Sequence, residues 1–270
     1  MELTFPAQLE RVKEGVMAQA ETLKKVASIY ADALQHGGLV HVYANGHSRV
    51  TVEEMVVRMG ALTGFHALLN TGLANFTDVI GNNGVRVNQA IEMVEGLGEV
   101  ILYEYDVGPH DALLVVSATG TTTAAVDMAL AFQRRYPNRP LIALCSAEQA
   151  QKAPPKHSSG KNLYHVIQES ENGILLDNCM PYGDLTVTIE GQTGTYQVCP
   201  LSSIGALTIV QSLNELTIRE LDRRGVKHHV LGNMHLNDTR DSYERWVRDQ
   251  RRRYAAAINN PLAVPPAPGS

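Results

Sequence analysis

Cysteine is scarce in this 270-residue chain, and its scarcity excludes two kinds of scaffold. Cys145, Cys179 and Cys199 are widely spaced and odd in number, so they suit neither a disulfide framework nor a Cys-based zinc site. Long hydrophobic runs are also missing. No stretch reaches the roughly 18 apolar residues of a membrane span. The opening Met1-Glu2-Leu3-Thr4-Phe5-Pro6 has neither the basic region nor the apolar stretch of a secretory signal. Cytoplasm is therefore the expected compartment. Positive charge is not in excess: 23 Lys and Arg face 28 Asp and Glu, a net charge of −5. That balance gives no overall pull toward nucleic acid or anionic membrane. Nucleotide signatures are absent too, with no lysine after a glycine-rich turn as in a P-loop and no G-x-G-x-x-G. ATP and NAD are not the expected ligands, and no cofactor is expected. His228, His229 and His235 have no recognised zinc spacing, so no metal is expected either.

What is present is a chain that alternates short apolar runs with helical patterns. Hydrophobic residues make up 44% and charged residues 19%, the balance of a globular domain. Residues 7–35 place Leu9, Val12, Val16, Ala20, Leu23, Val26, Tyr30 and Ala33 at helical spacing. This predicts one long amphipathic helix, ended by Gly37-Gly38. Lying before the first strand, it is expected to pack outside the α/β core or against a partner subunit. Residues 1–37 thus read as an oligomerisation helix, 38–258 as a ligand-binding domain and 259–270, rich in proline, as a disordered tail.

Strands are expected at 39–43, 100–103, 112–116, 141–145 and 174–176, with a hairpin at 185–198. Helices are expected from Thr51 to about 60, over 122–135, from Ser202 or Ser203 to about Arg223, and over 242–257. The stretch 61–98 is weak apart from the turn Gly81-Asn82-Asn83-Gly84. Residues 147–162 read as a polar loop able to reach over a pocket. The alternation predicts a three-layer, doubly wound, mainly parallel α/β fold, flavodoxin-like but without a nucleotide.

Two strand–loop–helix units carry the chemistry. In the first, Leu113–Val116 runs into Ser117, Thr119, Gly120, Thr121, Thr122 and Thr123, and then into a helix. A hydroxyl-rich turn before a helix N-terminus suits an anion, because the first N–H groups are unpartnered and the helix dipole favours negative charge. The same residues also suit an ordinary Ser/Thr N-cap. In the second unit, Leu39–Tyr43 runs into Ala44, Asn45, Gly46, His47 and Ser48, with Thr51 and Glu54 at capping-box spacing. Ligands of open α/β sheets sit where such loops converge. The expected ligand is a small phosphorylated molecule.

With these segments on the page, the chain resembles the SIS (sugar isomerase) domain family, in particular its uncharacterised sugar isomerase domain-containing branch. The resemblance is carried by Gly46-His47-Ser48 followed by Glu53-Glu54 and Arg58. It is carried further by His157-Ser158-Ser159-Gly160-Lys161-Asn162-Leu163-Tyr164 and by Asp177-Asn178-Cys179-Met180-Pro181-Tyr182-Gly183-Asp184. It spans roughly residues 7–255. In the second loop Thr119 stands where the family usually has serine, which keeps the hydroxyl. In the first, Ala44-Asn45 stand where a glycine or small residue is common.

The resemblance implies a phosphosugar-binding protein that assembles as a homodimer or homotetramer and engages neither nucleic acid nor membrane. An aldose–ketose isomerase acting through an enediol is the leading reading. The alternatives are a non-catalytic sugar-phosphate sensor and a phosphosugar lyase or etherase. The phosphate is expected on Ser117, Thr119, Gly120, Thr121 and Thr122, and the sugar near Asn45, Gly46 and Ser48. Glu54 is the expected base, with His47 and His157 as candidates for ring opening or proton shuttling.

Overall fold

Five short apolar runs become the strands of one parallel sheet: β1 Val40–Ala44, β2 Phe65–Leu68, β3 Ala112–Val116, β4 Leu141–Cys145 and β5 Gly173–Asp177. Their order is β2-β1-β3-β4-β5, and every neighbouring pair is parallel. The computed structural model describes residues 3–70, 73, 85–233, 235–236 and 240–257. The Gly81–Gly84 turn and the proline-rich tail lie outside the described residues.

Every residue of β1, β3 and β4 is buried. Helices cover both faces, which is why these strands read as unbroken apolar runs. Successive side chains serve opposite cores. Val40, Val42, Leu114, Val116, Ile142 and Leu144 face one cluster, with α1 (Gln8–Ala18), α2 (Ala20–Gln35), α3 (Arg49–Met55) and the helix Ser202–Arg223. Tyr43, Leu113, Val115, Leu141 and Ala143 face the other. That second layer contains α5 (Leu97–Tyr103), α6 (Thr123–Arg135), α7 (Ala147–Lys152) and α8 (Leu163–Glu169), and α4 (Val85–Ile91) joins its rim through Ile91. The three-layer α/β architecture is therefore as expected. Among the described residues no helix is long and apolar enough to cross a membrane.

Several local expectations are corrected. The N-terminal helix is two helices, broken at Gln19 (φ −104°, ψ 22°). Its stripe does not lie outside the core. Val12, Val16, Leu23, Val26 and Tyr30 are buried in the same cluster as Ile209, Val210 and Leu213 of the long helix α9 (Ser202–Arg223), and only Leu9 of the stripe stays 42% exposed. Two amphipathic helices far apart in sequence cover each other, a pairing invisible from either stripe alone. Residues 100–103 form the end of α5 rather than a strand. A short apolar run fits either element, and burial of Ile101 and Leu102 beside exposed Val100 and Tyr103 follows a helix. β2 (Phe-His-Ala-Leu) has no β-branched residue and escaped the sequence reading. α3 ends at Met55, and Val57 takes a left-handed φ of 54°. Thr51 lies inside α3, so it does not cap it with Glu54. The polar stretch 147–162 contains α7, capped by Ser146, whose Oγ accepts the Gln149 N–H at 3.1 Å.

Beyond β5 the chain forms an antiparallel ribbon, β6 (Leu185–Gly191) with β7 (Gly194–Pro200), that joins no other strand. Its register sets Leu185, Val187 and Ile189 against Pro200, Val198 and Tyr196, so one face is apolar apart from the Tyr196 hydroxyl, which meets Thr193 Oγ1 at 2.7 Å. Asp184 then caps α9, accepting the N–H groups of Leu201 and Ser202 at 2.8 and 2.7 Å.

The last helix, α10 (Arg240–Ala256), closes the outer edge of β2. Gln250 Oε1 accepts the Gly64 N–H at 2.8 Å, and the Tyr254 hydroxyl donates to the Phe65 carbonyl. Tyr254 also stacks on His66, with ring centroids 4.7 Å apart. Behind that stack, His66 Nδ1 meets His41 Nδ1 at 3.0 Å, and His41 Nε2 meets Asp111 Oδ2 at 2.9 Å. Burial, aided by the neighbouring His41, pushes His66 down to about 4.

Candidate active site

The loops after β1 and β3 meet at the carboxyl end of the sheet. The first turns at once after the strand: Gly46 has φ 54°, and the Ser48 N–H closes on the Asn45 carbonyl at 3.1 Å. Ser48 Oγ then accepts the Ala118 N–H at 3.1 Å, which stitches the first loop to the second. The second loop is organised by its own hydroxyls. Ser117 Oγ accepts the Gly120 N–H at 3.1 Å, and Thr119 Oγ1 lies 2.9 Å from Thr121 Oγ1. Gly120 takes a φ of 73°, and a Cβ there would stand 2.9 Å from Cys145 Sγ. Glycine is required at this position by both conformation and space.

α6 begins directly behind this loop, with Thr122 as its N-cap but without a side-chain capping bond. The Ala124 N–H is satisfied by the Glu92 carbonyl at 2.9 Å. The N–H groups of Thr122 and Thr123 have no partner among the described residues; Thr122 lines the cleft, whereas Thr123 is buried outside its lining.

A cleft of about 260 Å³ opens over these groups. Asn45, Gly46, His47 and Ser48 form one wall, Ala118, Thr119, Thr121 and Thr122 a second, and Asn88, Gln89, Glu92 and Met93 a third, while Lys156 reaches in from the polar loop. Burial pushes the Glu92 carboxyl up to about 7, against the opposing charge of Lys156. The Asn45 amide and the Tyr43 hydroxyl behind it are buried near one another without a hydrogen bond of good geometry.

The structure gathers Asn45, Gly46, His47, Ser48, Thr119, Thr121 and Thr122 at the cleft. Ser117 and Gly120 stand behind its wall, where they shape the turn. Glu54 is elsewhere. It faces α9, where Gln211 Nε2 donates to it at 2.6 Å, and it pairs with Arg58 at 3.0 Å. The start of α3 at Arg49 fixes that orientation. His157 is also outside the lining; its Nε2 lies 2.8 Å from Asp127 Oδ1. Glu92 and Lys156 line the cleft and were not among the residues expected there. Glu92 falls in the stretch 61–98 that pattern could not resolve. Lys156 lies in a loop whose reach was legible but whose contributing side chain was not.

An open parallel sheet with a hydroxyl-lined cleft and a helix N-terminus at its strand ends defines an α/β protein built for a small anionic ligand. Residues 4–146 match the SIS domain, and the chain belongs to that family. It is 29% identical over 205 residues to a UPF0309 protein of Caldanaerobacter subterraneus subsp. tengcongensis, covering 76% of this chain and 78% of that one. A UPF0309 protein of Halalkalibacterium halodurans is 28% identical over 226 residues, 84% of this chain and 86% of its own. Among solved structures, phosphoheptose isomerase from Neisseria gonorrhoeae aligns with a TM-score of 0.46 at 14% identity, covering 80% of this chain and 95% of that one.

Proposed function

We propose that the cleft binds a sugar phosphate and that the protein is an aldose–ketose isomerase working through an enediol. The observation that carries this reading is a carboxylate, Glu92, poised near neutrality beside a Ser/Thr loop and a helix N-terminus. The phosphate sits on Thr119, Thr121 and Thr122, at the start of α6. The sugar extends toward Asn45, Gly46, His47 and Ser48. Glu92, in place of Glu54, takes the proton from C2 of the open-chain aldose, while the C1 oxygen takes one from His47 to give the enediol. Glu92 then returns its proton to C1, and His47 recovers one from the C2 hydroxyl, leaving the ketose.

Exchange of the C2 hydrogen with solvent deuterium tests this on a panel of sugar phosphates. Glu92→Gln should bind ligand yet slow exchange by about 100-fold or more, while Glu54→Gln should stay near the native rate. Because Glu92 must be ionised while His47 carries the proton it gives to the C1 oxygen, kcat/KM should follow a bell in pH, with Glu92, raised to about 7, setting the requirement for an ionised base. Full exchange in Glu92→Gln would remove it as the base. Binding without exchange in the native protein would make the chain a sugar-phosphate sensor.

In the same reading the protein is a homodimer or homotetramer. The N-terminal stripe is already covered within the chain, so the surface that supports assembly is the apolar face of the β6–β7 ribbon.

A further inference from the structure

A bound phosphate brings a charge of about −1.5 to −2 into a cleft that already holds Glu92. The N-terminus of α6 offers the equivalent of roughly half a positive charge, and the threonine hydroxyls offer none. Among the lining residues the full cation is Lys156. It is exposed, it makes no ion pair among the described residues, and its charge acts on Glu92.

Lys156 does not arrive on a loose loop. On its C-terminal side the chain is fastened to the body residue by residue. His157 Nε2 bonds Asp127 Oδ1 of α6 at 2.8 Å, and the side chains of this pair are only 9% and 8% exposed. The other oxygen of Asp127 accepts the Gly96 N–H at 2.6 Å, which fixes the carboxylate. The next residue, Ser158, donates its N–H to Glu95 at 2.6 Å. Gly160, at φ 71°, turns the chain back, and Asn162 caps α8 while its amide donates to the Ala150 carbonyl at 2.6 Å. The Leu163 N–H then donates to the carbonyl of Gly120, inside the hydroxyl loop, at 2.9 Å. The segment bearing Lys156 and the turn bearing Thr119 and Thr121 are thus one connected unit.

We propose that Lys156 is the cation that holds the ligand's phosphate, and that His157 and Asp127 are positioning residues that aim it. This rests on the sugar-phosphate reading of the cleft. It gives His157 a role that does not involve the reacting carbons. It also explains why a buried His–Asp pair stands outside the cleft, immediately after the residue that enters it.

Titration calorimetry with inorganic phosphate, at fixed pH and ionic strength, tests the proposal on the full chain. Lys156→Met should weaken phosphate binding at least about tenfold, and Lys156→Arg should retain most of it. His157→Asn should weaken it by a smaller factor. If His157 acts only by aiming Lys156, the double variant should bind no more weakly than Lys156→Met alone. A general loss of structure would instead add the two losses and lower the melting temperature of His157→Asn in step. Native-like phosphate binding by Lys156→Met overturns the proposal and leaves the hydroxyl loop as the phosphate holder. Additive losses overturn the positioning role of His157. Failure of the native protein to take up phosphate removes the sugar-phosphate reading itself.

Discussion

At the scale of single residues, the cleft is built from side chains that line it and side chains that shape its turn, and Thr119 does both. Thr119 and Thr122 line the cleft, whereas Ser117 spends its hydroxyl on the Gly120 N–H. Valine at 119 or 122 keeps the shape and removes a donor. Each change should cost about 1–3 kcal/mol of sugar-phosphate affinity, measured by calorimetry; Thr122→Val should change the melting temperature less than Thr119→Val, which also removes the oxygen that meets Thr121. Native affinity in both variants would disprove the phosphate assignment. The hydroxyl run was legible in the sequence because a strand, a glycine turn and a helix start occur there in unbroken succession. Glu54 misled because its neighbours in sequence are those of the first loop, and helix phase turned it toward Gln211. Glu92 gave no signal of its own, since its raised carboxyl comes from burial, and Lys156, whose charge opposes that shift, lies 64 residues further along the chain.

At the scale of elements, the β6–β7 ribbon is the part that the rest of the chain does not explain. Two strands alone are marginal in water. Leu185, Ile189 and Tyr196 are 43%, 48% and 45% exposed on one face, and the charged residue of the strands, Glu190, lies on the other, bonded to Thr195. A symmetric contact sets a patch against its own copy, so an uncharged face suits self-association without repulsion. Sedimentation at micromolar concentration should show an oligomer that Ile189→Lys dissociates. A native monomer would rule this out. The hairpin itself was legible from alternation around Gly191 and Gly194. The helix pairing α2–α9 was not, because it joins residues nearly two hundred positions apart, and that gap produced the expectation of an uncovered N-terminal stripe.

At the scale of the whole molecule, the sheet divides its labour between its two ends. The cleft-lining groups gather at the carboxyl ends of β1 and β3, while His41, His66 and Asp111 are packed near the opposite end. His66 is held at about 4 in the folded chain against 6.5 when free, so the unfolded state binds more protons between those values. Stability is fully present above pH 6.5 and should fall by up to about 3 kcal/mol as pH drops toward 4. Melting curves across that window should show the decline, and His66→Asn should flatten it. The parallel order of the strands followed from the apolar runs and their intervening helices. The histidine chain did not, because β2 was unrecognised and His66 with it.

The stack of Tyr254 on His66 has a colloidal consequence. β2 is an edge strand, and its outward Gly64 N–H and Phe65 carbonyl are satisfied by Gln250 and Tyr254 of α10. A bare edge of this kind is a template on which further strands grow. Charging the buried His66 costs desolvation, which favours lifting the α10 cover that keeps water from the ring. Acid should therefore turn a dispersed protein into one that gels or precipitates before it fully unfolds, and the last helix acts as the stopper that keeps the sheet finite.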